Sequence, residues 1–143
     1  MNTNLKYSIE PSLKQKIIES IANYLIAQKE GISIAYLFGS FITTESFSDI
    51  DLGVLTKMVV ERPLNFEIEL ENELERIIGY PVDVRILNNA PLSFCQDVIR
   101  HGRAILDRDR NVRADFEGKV LKQYFDFSRF HRQYLAEVID APF

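Results

Sequence analysis

The sequence predicts an α/β (α+β) fold, a small mixed β-sheet flanked by helices, from three observations. Three short runs rich in β-branched and aromatic residues, ISIAYLF (32–38), DIDLGVL (49–55) and PVDVRIL (81–87), read as strands. Around them, apolar residues recur at three- and four-residue intervals, the period of a helix with one buried face. Gly31, Gly39, Gly79 and Gly102 stand where one pattern gives way to the next. The order helix, strand, strand, helix, strand, helix, strand, helix contains no internal repeat or low-complexity stretch. Residues 1–143 are therefore expected to form one domain, with a core over about 12–108 and a terminal helix over about 110–138.

After a short polar lead, Ser12 is placed to cap a helix whose Leu13, Ile17, Ile21 and Leu25 share one face, and which should end near Gly31. The first strand, Ile32 to Phe38, stops at Gly39. Residues 41–48 (FITTESFS) are polar and turn-prone. In the second strand, Asp49 to Leu55, the side chains of Ile50, Leu52 and Val54 share a face. From Pro63 to Ile78, Leu64, Ile68, Leu74 and Ile78 fall on or near one helical stripe, the glutamates at 67, 69, 71, 73 and 75 occupy much of the remaining surface, and Gly79 ends the helix.

In the third strand, Pro81 to Leu87, Val82, Val84 and Ile86 point one way and Asp83 and Arg85 the other. A turn at Asn88 and Asn89 leads to a helix from Pro91 to about His101, closed by Gly102, and Arg103 to Leu106 adds a short edge strand. A long helix from about Arg110 carries Phe116, Val120, Tyr124, Phe127, Phe130 and Tyr134 at mostly three- and four-residue intervals. This aromatic stripe is expected to pack on its own domain; a partner surface is the alternative.

Composition excludes several classes. An apolar share of 46% beside 27% charged residues is the balance of a globular chain and argues against a disordered or fibrous one. No apolar run approaches the roughly 18 residues of a membrane span, and the N-terminal MNTNLKYSIEPSLKQK lacks the features of a signal peptide, so a cytoplasmic protein with no membrane contact is expected. Cys95 is the one cysteine; it can form no internal disulfide and should serve helix packing. With 17 basic against 21 acidic side chains, direct binding to nucleic acid is not expected, because that affinity comes from Lys and Arg neutralising phosphates.

The chemistry lies in a constellation. Gly39 and Ser40 stand where the first strand ends and a turn or short helix begins. Glycine lets a phosphate approach the backbone, N–H groups at a turn or helix start can bind its oxygens, and the Ser40 hydroxyl adds a donor. On a strand, Asp49 and Asp51 project from one surface and repel one another. A hard divalent cation relieves that repulsion, and magnesium usually completes its shell with substrate phosphates. Asp83 interrupts the apolar third strand; paired beside the second, that strand would bring a third carboxylate to the same place. Two metals held there could align an attacking hydroxyl with the α-phosphate of a nucleoside triphosphate, with Asp83 binding one metal or accepting the hydroxyl proton. Each motif alone is commonplace; their order and spacing are what is specific.

The segment LFGSFITTESFSDIDLGVL (37–55) resembles the Gly-Ser then Asp-x-Asp signature of polymerase-β-type nucleotidyltransferases, and VDVRIL (82–87) resembles the strand that bears their third carboxylate. The resemblance implies a polymerase-β-like fold with a C-terminal helix and a metal requirement, with Mg2+ as cofactor and ATP as nucleotide donor. In size, too, the chain is similar to the minimal nucleotidyltransferases, the MNT proteins of prokaryotic HEPN/MNT toxin–antitoxin pairs, over about residues 12–135. That implies an antitoxin which transfers AMP to a tyrosine hydroxyl of a cognate HEPN ribonuclease toxin, its partner in a hetero-oligomer. Asp49, Asp51 and Asp83 would be the catalytic and metal-binding residues, and Gly39, Ser40, Asp49 and Asp51 would hold the nucleotide. Only eight residues separate Ser40 from Asp49, fewer than the family pattern usually has, so a tighter loop beneath the triphosphate is expected; the departure bears on catalytic efficiency and not on fold.

Two other functions remain in view. A non-catalytic antitoxin would neutralise its toxin by binding, through the aromatic helix or the acidic face. A small-molecule transferase of the aminoglycoside-modifying type would use the same donor site, but a second, substrate-binding domain is not expected within residues 1–143, which disfavours it. Arg85 could contact phosphate or pair with a carboxylate, His101 should interact with a helix end, and the segment Arg100 to Arg113 should be a solvated surface.

Overall fold

The central strand explains the architecture. The computed structural model describes residues 5–140. In it β1 (Tyr7–Ser8) and α1 (Pro11–Gln28) precede β2 (Ile32–Phe38), whose first six residues are all buried. A strand apolar on both faces needs a neighbour on each edge and a layer on each face. The chain supplies them through α2 (Ser40–Thr43), β3 (Ser46–Phe47), β4 (Ile50–Thr56), α3 (Pro63–Ile78), β5 (Val82–Ile86), α4 (Leu92–His101), β6 (Arg103–Asp107) and α5 (Arg110–Asp140). The main sheet runs β5-β4-β2-β6; β2 is antiparallel to both neighbours and β4 is parallel to β5, so the sheet is mixed and β6 is an edge, as expected.

One face of the sheet, with Ala35, Leu37, Ile50, Leu52, Val54, Val82 and Val84, is covered by α1 and α3 through Ile17, Ile21, Leu25, Leu70 and Leu74. The other face carries Ile34, Tyr36 and Leu55 and is covered by Cys95 and Val98 of α4 and Phe116 and Val120 of α5. Cys95 thus serves packing, its thiol 3.5 Å from the Leu87 carbonyl oxygen. Among the described residues, no helix is long and apolar enough to cross a membrane.

Several local expectations need correction. Ser12 does not cap α1: Glu10 holds the cap position, Pro11 opens the helix, and no side chain bonds its start. Proline's fixed φ and missing N–H suit that first position, which shifts the helix forward. Leu13 is exposed, and the buried stripe begins at Ile17. The helix ends at Gln28, where Arg108 Nη2 donates to the carbonyls of Leu25 (3.0 Å) and Ile26 (3.1 Å) and Nε to Ile32 (2.9 Å). The 41–48 stretch holds α2 and β3, and β3 pairs with β1 through Tyr7 and Phe47. Two-residue strands have no readable period, and aromatic contacts hold this pair: Tyr7, Phe41, Phe47 and Tyr80 meet at centroid distances of 4.9 to 5.6 Å.

In α3 the bounds agree, but the stripe is in a different phase. Leu70 and Leu74 are buried with Phe66 and Ile78 beside them, whereas Leu64 is 66% exposed and Ile68 45%. The glutamates at 67, 71 and 75 are not free surface charges either; they bond β5, as described below. On α5 the aromatic stripe divides. Phe116 and Val120 pack on the sheet, and Glu117 accepts from Tyr36 Oη (2.6 Å) and Arg113 Nε (2.9 Å). Phe127, Phe130 and Tyr134 are 64%, 68% and 55% exposed, so packing on its own domain fails for the second half. The helix has 31 residues where α4 beside it has 10, and it outruns the layer it covers.

Candidate active site

Three carboxylates meet because of strand register. Phe38 on β2 pairs with Asp51 on β4, and Asp51 pairs with Asp83 on β5, so the three residues form a row across the sheet. Asp49 immediately precedes β4 and completes the group: Asp49, Asp51 and Asp83 each offer a carboxylate oxygen, all within 4.8 Å of one another. The expected pairing of the second and third strands is thus present, and all three aspartates converge.

Gly39 has two reasons to be glycine. Its backbone is at φ 74°, a region that L side chains rarely adopt, and an added Cβ would collide with the Asp51 carboxylate. It caps α2, its carbonyl accepting from the N–H groups of Ile42 and Thr43, both at 3.1 Å. Ser40 is the first residue of α2, at a helix start where the first N–H groups, those of Ser40 and Phe41, precede the turn bonded back to Gly39. The Gly-Ser pair and the Asp-x-Asp pair are therefore neighbours, joined by the short expected loop, which Thr44 closes with a bond from its hydroxyl to the Ser46 carbonyl (2.6 Å).

The electrostatics follow from crowding. Burial, then the charges of Asp49 and Asp83, push the Asp51 carboxyl up to about 7, with Arg85 acting in the opposite direction. Asp49 is raised by burial and then by Asp83, its own backbone N–H opposing. Arg85 pairs with Asp83 at 3.6 Å; both side chains are well exposed, so the pair offsets little of the repulsion. Three convergent carboxylate oxygens are the hard donor set that Mg2+ prefers. Their spacing approaches the about 3–4 Å between neighbouring and opposite oxygens around an ion with bonds near 2.0 Å.

Reading the sequence missed the groups behind this row. The N–H groups of Val82, Val84 and Ile86 donate to Glu75 (2.9 Å), Glu71 (2.8 Å) and Glu67 (2.9 Å). Glu71 also lies against Asp83: its carboxyl is raised by burial first and by Asp83, with the Val84 N–H opposing. The readable signal is the four-residue spacing of these glutamates on the helix just before the strand. Phe94 of α4 meets Phe38 edge to face at 5.5 Å. Beyond Asp83 along β5, a cavity of about 380 Å³ is lined by Arg85, Ile86, Pro91, Phe94 and Glu67, among others. His101 stands apart, bonded to Asp97 at 2.9 Å. The 100–113 segment is not merely solvated, since Arg108 and Arg113 both hold structural bonds.

Residues 15–111 match the family model described as "Polymerase beta, Nucleotidyltransferase". No curated protein sequence matches the chain. Among solved structures, a chain from a tri-AMPylated Shewanella oneidensis HEPN toxin in complex with MNT antitoxin is 23% identical, with TM-score 0.68, covering 88% of this chain and 98% of that one. A toxin–antitoxin structure with AMP-PNP is 23% identical at TM-score 0.69, covering 85% and 98%. A chain of the toxin–antitoxin MntA-HepT is 22% identical at TM-score 0.67, covering 87% and 98%. At these identities the likeness is one of fold.

Proposed function

This chain belongs to the polymerase beta nucleotidyltransferase family, and from that premise we propose that it is the antitoxin of a HEPN/MNT pair, a protein adenylyltransferase. It would transfer AMP from ATP to a tyrosine hydroxyl of its HEPN toxin and silence it. The observation that carries the reading is the convergence of Asp49, Asp51 and Asp83 beside Gly39. The AMPylated toxin and the AMP-PNP complex among the similar structures support the choice of reaction. We take residues 1–143 as one nucleotidyltransferase domain acting in the cytoplasm, where its donor ATP is found.

Asp49 and Asp51 would hold Mg2+, with Asp83 able to share it. A metal held there would supply positive charge to offset the charge of the phosphates. Gly39 leaves room for the triphosphate, and the start of α2 with the Ser40 hydroxyl donates to its oxygens. Asp83 accepts the proton of the attacking hydroxyl as the new oxygen–phosphorus bond forms at the α-phosphate. The bond to the β-phosphate breaks, and pyrophosphate leaves with the electron pair. In-line displacement places the acceptor opposite the leaving group. With the triphosphate at α2, the acceptor approaches over β5, where the cavity beside Arg85 and Phe94 has room for the segment carrying the tyrosine.

A second reading has one observation in its favour. The exposed Phe127, Phe130 and Tyr134 on α5 could grip the toxin, so that binding alone neutralises it. Growth of cells co-expressing toxin with Asp49→Ala/Asp51→Ala antitoxin separates the two. Loss of rescue supports the transferase, and full rescue supports neutralisation by binding.

A further inference from the structure

Asp83 sits on an edge strand. β5 has a strand partner, β4, on one side only. The amides of alternate residues face that partner, as in the bond from Leu87 N–H to Val54 O (2.8 Å), and those of Val82, Val84 and Ile86 face outward. Outward amides of an edge strand usually go to water or to another chain. Here each donates to a carboxylate of α3, three charge-assisted bonds between 2.8 and 2.9 Å. The fit is geometric: four residues of helix advance about 6 Å, two residues of strand about 6.6 Å. Glutamates on α3 spaced by four therefore stay in step with every second amide of an antiparallel-running β5. The helix closes the outer edge of β5, where, among the described residues, no strand pairs.

Glu71 is the middle member. It bonds the N–H of Val84, in the peptide that directly follows Asp83. Asp83 is thus held by β4 on one side and by this bond on the other. We propose that Glu71 is a positioning residue for Asp83: it fixes the peptide that carries this aspartate, and so aims the Asp83 carboxylate at Asp49 and Asp51. The inference rests on the transferase reading for its catalytic consequence, but its geometric part is measurable without catalysis.

The test uses the full chain and Mn2+ as probe, with binding followed by electron paramagnetic resonance, thermal melting, and AMP transfer resolved into kcat and KM for ATP. Glu71→Ala weakens Mn2+ binding and lowers kcat about 10- to 100-fold, the usual cost of losing a group that orients a metal ligand, while KM for ATP changes little. Glu71→Gln keeps an oxygen acceptor for Val84 and stays near wild type in Mn2+ affinity, kcat and KM, while its melting temperature does not fall. Glu67→Ala frees Ile86, further along β5, and lowers the melting temperature with Mn2+ affinity unchanged. If Glu71→Ala does not fold, Glu71→Asp, which withdraws the acceptor by one methylene, takes its place in the comparison. Wild-type Mn2+ affinity in Glu71→Ala or Glu71→Asp overturns the proposal, and so does an equal loss in Glu67→Ala, which would make the effect one of general strand stability. A wild-type chain that binds Mn2+ but transfers no AMP would end the transferase reading and leave the positioning role to be decided by Mn2+ alone.

Discussion

Asp51 on β4 lies directly across the parallel ladder from Asp83 on β5, and the two carboxylates, with Asp49, crowd into a space where oxygens stand within 4.8 Å. Side chains paired across a sheet are normally chosen to attract. Like charges at this pairing cost stability.

That cost should be visible as a pH dependence. Burial first, then the charges of Asp49 and Asp83, push the Asp51 carboxyl in the folded chain from its ordinary 3.8 up to about 7. Between those values the folded chain holds a proton that the unfolded chain has lost, so stability falls as pH rises across that window. Asp49 and Glu71, both raised, act in the same direction. Without divalent metal, the melting temperature should therefore rise as pH is lowered from 8 to about 5, and Mg2+ should stabilise most at pH 8. A metal-free melting temperature that instead drops over that interval would contradict the crowding argument.

Asp51→Asn removes one of the three charges and keeps the shape. The metal-free chain should melt higher than wild type at pH 8, lose most of its pH dependence between 5 and 8, and no longer gain stability from Mg2+. Thermal melts with and without the metal decide this. A variant less stable than wild type would show that Asp51 carries a structural bond.

Gly39→Ala forces a side chain into a positive-φ position and against the Asp51 carboxylate. A loss of about 1–3 kcal/mol is expected from the backbone alone. Metal-dependent nucleotide binding should fall further than stability does, because the displaced Asp51 is itself in the site. Denaturant unfolding alongside AMP-PNP binding reads both quantities.

The aspartates and Gly39 were legible because each breaks a pattern: a carboxylate in an apolar strand, or a glycine at the end of one. The strands were legible for the converse reason, as β2 is unbroken from Ile32 to Phe38. What escaped was decided by tertiary neighbours. Glu71 looks the same in sequence whether it faces water or the amide of Val84. Leu64 and Leu70 are equally apolar, and only the placement of α3 on the sheet decides that Leu70 is the buried one. The Tyr7–Phe47 pairing joins segments far apart in the chain, and the aromatic run on α5 extends beyond the layer that buries its first half.

Arg108 is a similar case, a charge in a basic stretch whose guanidinium caps the end of α1. Arg108→Ala should cost about 1.5–3 kcal/mol, the worth of a hydrogen bond from a charged donor, and leave Mn2+ affinity as in wild type. Unfolding in urea with a parallel Mn2+ titration checks both, and a stability change near zero would show that water replaces the cap.

The most direct test of the central claim is transfer of α-labelled AMP from Mg-ATP to the co-expressed HEPN partner, comparing the wild-type chain with Asp49→Ala/Asp51→Ala and with Asp83→Ala. The account predicts label on a tyrosine of the partner with the wild-type chain, abolished by chelating the metal and absent with either variant. Label that persists when the carboxylates are removed, or no label while the toxin is still neutralised, would contradict it.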